Sequence, residues 1–220
     1  MDTYKDYTTT LENAKQHIAE KGVAVIPNVL TNEEIQLYRS NMWNMLSQLT
    51  ENSEYHIKRE DESTWKHFRK FMPLHSMLLK NWEVGQSQFM WDIRQNEKVI
   101  NVFSTLWNTP KEELLVSFDG ASIHMPPEIT KYGFHRGNKW LHVDQSFKPS
   151  SQGLKCYQGM VNLYDSNIGD ATLAILENSN KYHSDFEKHF SYAAEKYKGN
   201  WCKLTTEELK FYEDKGCEFH

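Results

Sequence analysis

The residues of this chain that are best suited to chemistry are two His-x-Asp tripeptides, HVD at 142–144 and HSD at 183–185. Such a tripeptide supplies two of the three protein ligands of a 2-His-1-carboxylate iron site, which leaves positions on the metal open for oxygen chemistry. The tripeptide alone is weak evidence, because about half an occurrence is expected by accident at this length and composition. The structural setting must distinguish the two.

The predicted backbone separates the two motifs. The run KWLHVDQSF alternates like a strand, and residues i and i+2 of a strand share a face, so His142 and Asp144 project together. The run YHSDFEKHFSYAAEKY (182–197) is predicted to be helical, and helical residues i and i+2 lie about 200° apart. His183 and Asp185 are therefore interpreted as polar residues that begin a helix. His142 and Asp144 are the candidate metal ligands, and the alternative is an ordinary His–Asp pair on a half-exposed strand.

The elements that must position these residues change character near Pro110. Residues 1–110 are predicted to be mostly helical, with one strand at GVAVIPN (22–28). Thr31 and Glu34 form a capping box that opens an amphipathic helix, and a second helix is predicted from Glu97 to Trp107.

After Pro110 the chain contains short apolar or alternating runs, which are separated by Gly, Pro, Asn and Ser: LLVSFDG, ASIHM, KWLHVDQSF, CYQGMVNLYD and ATLAILE. Short strands with turn signals between them predict an all-β sandwich or barrel. Helix returns from about Tyr182 to Tyr197 and again after a second capping box, Thr205 and Glu208. We therefore predict a single domain over 1–220, in which a helical layer (1–110) buttresses a β-core (111–220).

Composition excludes several classes of protein. The hydrophobic fraction of 39% and the aromatic fraction of 13% are typical of a globular domain. The net charge of −5, without a basic run, argues against a nucleic-acid partner. No apolar stretch approaches 18 residues and the first twenty residues are polar, so neither a membrane span nor a secretory signal is expected. Cys156, Cys202 and Cys217 are odd in number and lack CxxC spacing, which predicts reduced thiols and a cytoplasmic protein.

Several ordered segments resemble the phytanoyl-CoA dioxygenase family of Fe(II)/2-oxoglutarate-dependent dioxygenases. They are GVAVIPNVLTNEEIQLYR, WDIRQNEKVINVF, LLVSFDGASIHMPPE and KWLHVDQS, in that order. The stretch CYQGMVNLYDSNIGDATLAILENSNKYHSDF resembles the one that follows the His-x-Asp motif in the family. The resemblance extends from about residue 20 to the end of the chain.

The resemblance implies an α+β protein with a double-stranded β-helix (jelly-roll, cupin-like) core. It implies Fe(II) bound by His142 and Asp144, with 2-oxoglutarate as co-substrate for the hydroxylation of a small molecule. It also places Gln158 and His124 against the 2-oxoglutarate. The alternatives are a strand-edge hydrogen bond for Gln158 and a core or rim position for His124.

The sequence departs from the family in two places. Asn180 stands where the family usually has a histidine, which is generally not an iron ligand. The distal His and the Arg that binds 2-oxoglutarate would follow Gly216, so the C-terminal strands are expected to be missing. This predicts an exposed sheet edge and self-association through it. His183 and His189 on a helix, and His220 at the terminus, are disfavoured as a third ligand.

Three hypotheses follow for the function. The first is an Fe(II)/2-oxoglutarate hydroxylase that is either longer than these 220 residues or completed by a partner, so that the 220 residues alone would be inactive. The second is a truncated or degenerate jelly-roll binding module without catalytic activity. The third is a cupin-like metal protein with another reaction. The sequence does not identify the substrate, because members of one fold act on many molecules.

Overall fold

The computed structural model describes residues 3–132, 140–167 and 169–220. The chain divides into two compact units. The first unit consists of the described residues within Met1–Pro27, Gly137–Gly159 and Leu173–His220. The second unit takes its described residues from Asn28–Arg136 and Met160–Thr172. Each unit has its own hydrophobic core.

The second unit is built mainly from helices. Its α-helices are α2 (Asn32–Thr50), α3 (Gln88–Arg94), α4 (Glu97–Trp107) and α5 (Pro127–Thr130). Short 3₁₀ helices span Glu62–Phe71, Val84–Gln86 and Lys111–Glu113. Strands β1 (Leu78–Leu79) and β2 (Ala121–Ser122) pair antiparallel, with Leu78 opposite Ser122.

The beginnings of α2 and α4 follow from local hydrogen bonding. The Glu34 amide donates to Oγ1 of Thr31 at 3.3 Å, and the Thr31 amide donates to Oε2 of Glu34 at 2.7 Å. This reciprocal pair is the predicted capping box and is confirmed. Asn96 accepts from the amides of Lys98 and Val99 and caps α4, whose predicted bounds are also confirmed.

One face of α2 supplies much of the second unit's core. Leu46 is 1% exposed, and it belongs to a cluster with Phe68 of the 3₁₀ helix and Leu79 of β1. Burying a large apolar side chain contributes about 1.5–3 kcal/mol relative to exposure, so this face holds the unit together. The buried members of the cluster are Tyr38, Met42, Trp43, Leu46, Ile57, Phe68, Leu79, Val84, Phe89, Ala121 and Ile123.

The first unit combines helices with one two-stranded sheet. Its helices are α1 (Leu11–Lys21), α6 (His183–His189), α7 (Ala193–Lys196) and α8 (Thr206–Asp214). Further 3₁₀ helices span Thr3–Tyr7, Pro149–Ser151 and Ser179–Tyr182. Strands β3 (His142–Val143) and β4 (Cys202–Lys203) pair antiparallel.

Stacked aromatic rings form the first unit's core. Phe147 and Phe186 are both fully buried, and their ring centroids are 4.3 Å apart. Phe186 also stacks on Tyr212 of α8 at 5.4 Å. The second predicted capping box, Thr205 with Glu208, is confirmed at the beginning of α8.

The predicted jelly roll is wrong. About 48% of the residues are helical, and the described parts of the chain contain only two small two-stranded sheets. Three of the predicted strands, at 114–120, 156–165 and 171–177, include no residue of β1, β2, β3 or β4. A fourth predicted strand, 139–147, begins at Lys139, which lies outside the described residues. Leu115 is 99% exposed, and Phe118 and Leu173 are more than half exposed.

The reason is that an alternating apolar pattern fits a pleated surface only where a partner strand and a second layer cover it. A strand must also share its backbone hydrogen bonds with a neighbour. Among the described residues of these three segments, Leu176 alone forms a bridge, with Phe219, and the Ile175 amide donates to the His220 carbonyl at 2.9 Å. Aromatic side chains fill the first unit's core instead.

Two smaller predictions are also corrected. The run 22–28 forms a bridge from Val25 to Thr8 in place of a strand. Gly22 adopts a left-handed conformation (φ 87°) that ends α1. The predicted helix from Tyr182 to Tyr197 is interrupted between α6 and α7. Of the helices in the described ranges, none combines the length and apolar character needed to cross a bilayer.

Candidate functional site

The candidate ligands lie where β3 meets β4 in the first unit. Val143 is opposite Cys202, His142 is opposite Lys203, and the Leu204 amide donates to the Leu141 carbonyl at 3.2 Å. This short ladder fixes the backbone that carries His142. Asp144 follows at the end of the strand.

The imidazole of His142 and the carboxylate of Asp144 face each other. Nε2 of His142 is 3.3 Å from Oδ2 of Asp144, and Nδ1 of His142 is 2.8 Å from the carbonyl oxygen of Trp140. A carbonyl oxygen only accepts hydrogen bonds, so Nδ1 must carry a proton and donate it. The i, i+2 spacing therefore brings the two side chains together.

This arrangement determines the chemistry of Nε2. A neutral imidazole protonated at Nδ1 has a lone pair at Nε2, so two acceptors would face each other across 3.3 Å. Either a proton on Nε2 or a cation between the two atoms satisfies them. A metal-binding histidine characteristically donates its other N–H to a carbonyl or carboxylate, which fixes the ring. The contact of His142 with Trp140 is of that kind.

Gln158 contacts the same carboxylate. Its amide nitrogen donates to Oδ2 of Asp144 at 2.6 Å, which restrains the carboxylate beside His142. The predicted contact of Gln158 with 2-oxoglutarate stays a prediction. In this structure its amide orients Asp144.

Two indole rings flank the imidazole. The ring of Trp140 lies 5.2 Å from that of His142, and the ring of Trp201 lies 5.6 Å from it, both tilted by less than 40°. The side chain of His142 is 23% exposed, whereas that of Asp144 is 35% exposed. The indoles restrict the imidazole to one orientation and remove water from its faces, which strengthens its electrostatic interactions.

Cys202 lies across the strand pair but is chemically quiet. Burial, followed by the negative charges of Asp144 and Glu208, raises the pKa of its thiol to about 11. The thiolate is the form that binds metals, so Cys202 is a poor ligand at neutral pH. The donors available next to β3 are a nitrogen and a carboxylate.

A buried carboxylate, Glu208, stabilises the elements around β4. Although burial alone would raise the pKa of Glu208, hydrogen bonds from the Thr205 amide, Lys196 and Tyr197 lower it below its ordinary value. The Tyr197 hydroxyl lies 2.8 Å from Oε2 of Glu208 and 2.9 Å from the carbonyl oxygen of Lys203. The capping box indicated the role of Glu208 in α8 but not this network, because Lys196 and Tyr197 belong to another element.

The second His-x-Asp motif is not a chelating pair. Nε2 of His183 contacts the carbonyl of Ser146 at 3.0 Å, and its ring stacks on Phe147 at 4.5 Å. Asp185 is half exposed and its nearest cation is Lys188, at 3.9 Å. Burial lowers the pKa of His183, although the contact with Ser146 opposes this. The two side chains have separate partners.

The other histidines named from the sequence also have other neighbours. The ring of His189 packs against Phe190 and Phe211. Nε2 of His220 lies 3.5 Å from a carboxylate oxygen of Glu177. His124 belongs to the second unit.

In the described ranges, no group of three His, Cys, Asp or Glu side chains is arranged to hold a metal ion. The candidate site therefore consists of His142 and Asp144, with Gln158 and the two indoles around them. No protein-family model matches this chain, and no curated protein or solved structure matches it either.

Proposed function

We propose that the protein binds Fe(II) through Nε2 of His142 and Oδ2 of Asp144, and that it is a 2-oxoglutarate-dependent oxygenase that acts on a small molecule. The observation that carries the proposal is the pair of acceptor atoms 3.3 Å apart, with Nδ1 of His142 donating to a carbonyl. Two atoms at this separation can each lie about 2.0–2.2 Å from one cation, the usual distance for nitrogen and oxygen ligands.

The donor set favours iron over a thiolate-bound metal. A nitrogen and a carboxylate are the ligand types of non-haem Fe(II) oxygenases, whereas Cys202 stays protonated at neutral pH. When bound with open coordination positions, Fe(II) supplies the activation of O₂. His142 and Asp144 would hold the ion, Gln158 would orient the carboxylate, and the indoles of Trp140 and Trp201 would exclude water. The oxygenase activity and a cytoplasmic location rest on the sequence.

A second candidate is a metal-binding module without oxygenase activity. The observation in its favour is that, among the residues the structure describes, only two potential ligands come together at this site. Two protein ligands leave the ion largely hydrated, so its affinity would be low. The two candidates share the metal site and differ in turnover.

The experiment measures Fe(II) binding under anaerobic conditions and then succinate formation from 2-oxoglutarate in air with ascorbate. Asp144→Asn removes the ligand charge, and Asp185→Asn is the matched control in the other motif. Under the first candidate the protein and the control bind Fe(II) and form succinate, whereas Asp144→Asn loses both. Fe(II) binding lost in Asp144→Asn, without succinate from any form, supports the second candidate. Equal Fe(II) binding by all three forms contradicts both.

A further inference from the structure

A cleft in the second unit is lined by basic and apolar side chains. The cleft is partly open to solvent. Its basic lining residues are Lys66, Arg69, His75 and His124, and the described residues that line it include no Asp or Glu. Among the described residues, no carboxylate lies within salt-bridge distance of Lys66 or Arg69. The positive charge of Lys66 and Arg69 in a concave surface attracts anions.

The local backbone directs these cations to one place. Lys66 and Arg69 lie three residues apart on the 3₁₀ helix Glu62–Phe71, and residues i and i+3 of a 3₁₀ helix share a face. The guanidinium of Arg69 lies 4.2 Å from the ring centre of Tyr132, which holds it at the cleft. A cation–π contact of this kind fixes a guanidinium while leaving its charge in place.

A strained loop also lines the cleft. His75 and Ser76 both have left-handed backbones, with φ of 52° and 66°, although neither is glycine. Such conformations cost about 1–3 kcal/mol each and are concentrated at functional sites. Nε2 of His124 lies 3.2 Å from Oγ of Ser122, and desolvation lowers the pKa of His124.

The apolar part of the lining indicates the kind of anion. Trp65, Phe68, Met77 and Met125 contribute aromatic and thioether surface to the same cleft. Apolar surface beside a few convergent polar groups is typical of a contact with an organic ligand.

We propose that this cleft binds a small organic carboxylate, whose charged end contacts Arg69 and Lys66 and whose apolar body packs against the aromatic and methionine side chains. The site goes beyond the proposed iron function, because all of its residues belong to the second unit. Benzoate is a suitable probe, and benzamide is its neutral isostere.

The test is a ligand-observed NMR titration of benzoate in EDTA, which removes metal as a competing site. Arg69→Gln should weaken benzoate binding about tenfold, the scale of a charge-assisted hydrogen bond. Lys70→Gln makes the same charge change at the next residue, which does not line the cleft, and should bind like the unmodified protein. Asp144→Asn should also leave benzoate binding unchanged, so the result is independent of the iron proposal.

Two further measurements use only the unmodified protein, so they do not depend on whether a variant folds. Benzoate binding should weaken as NaCl rises from about 0.1 M to about 1 M, because screening shortens the range of the attraction. Benzamide should not displace bound benzoate. Inorganic phosphate should displace isotope-labelled benzoate more weakly than an excess of unlabelled benzoate does. Equal binding of benzoate and benzamide, equal loss in Arg69→Gln and Lys70→Gln, competition by phosphate as strong as by benzoate, or no saturable binding would overturn the proposal.

Discussion

The two His-x-Asp motifs have the same residue types at the same spacing, but the protein uses them differently. In the first motif the extended backbone of β3 brings His142 and Asp144 within 3.3 Å of each other. In the second motif the helix α6 directs His183 to the core and Asp185 to the surface. The comparison shows that the tripeptide has no chemical meaning until the backbone conformation is known. The i, i+2 spacing brings the two side chains together in a strand and separates them in a helix.

The largest expected effect separates the motifs by metal affinity. Replacing His142 and Asp144 together with Ala should weaken Fe(II) or Mn(II) binding by more than about tenfold, since even the partner of a ligand is worth that much. Replacing His183 and Asp185 together with Ala should leave the affinity nearly unchanged. Calorimetric titration with Mn(II), which resists oxidation in air, measures both. A loss above tenfold in the second double variant would mean that the wrong motif was chosen.

An intermediate effect is expected in the energy that couples the His and the Asp of each motif. Double-mutant cycles followed by urea unfolding, in EDTA at pH 5.5 where free imidazole is protonated, compare the pairs without metal. His142 and Asp144 should couple by about 0.5 kcal/mol or more, because they are in contact. His183 and Asp185 should be additive within about 0.3–0.5 kcal/mol.

The single variants of the second motif sharpen this result. His183→Ala alone should destabilise the protein by about 1–3 kcal/mol, because it removes a ring stacked on Phe147 and a partly buried hydrogen bond. Asp185→Ala should stay within about 0.5 kcal/mol, as is usual for an exposed side chain. Strong coupling between His183 and Asp185 would contradict the separation of their partners.

The smallest effect is a pH dependence that belongs to the second motif. Burial lowers the pKa of His183 in the folded protein, so the unfolded chain binds the proton more readily. The contribution of His183 to the free energy of unfolding is therefore fully present above the ordinary histidine pKa of about 6.5. It is lost as the pH drops from there through the lowered pKa of His183 in the folded protein. His183→Gln should flatten this fall, because it removes the titrating imidazole. Urea unfolding between pH 5 and pH 8 measures the slopes.

Parts of the candidate site were predictable from the sequence, and parts were not. The alternation around His142 and Asp144 predicted their shared face, because that geometry depends only on neighbouring dihedral angles. The position of Trp201 beside His142 was not predictable, since it requires β4 to pair with a strand far earlier in the chain. The cleft at Arg69 was not predicted at all, because its cations lie on one 3₁₀ helix whereas the rest of its lining comes from separate segments of the second unit.

The same division holds for the fold. The sequence by itself determined the beginnings of α2, α4 and α8, because a cap and the amides it satisfies lie within three residues. The alternating runs after Pro110 do not indicate which segments they pair with. A strand forms only where a second segment completes its backbone hydrogen bonds. Tertiary structure decided that aromatic packing of Phe147 and Phe186, rather than a jelly roll, would form the first unit's core. Hydrogen bonds within a turn are encoded locally, whereas strand pairing and core packing depend on segments that the chain brings together only as it folds.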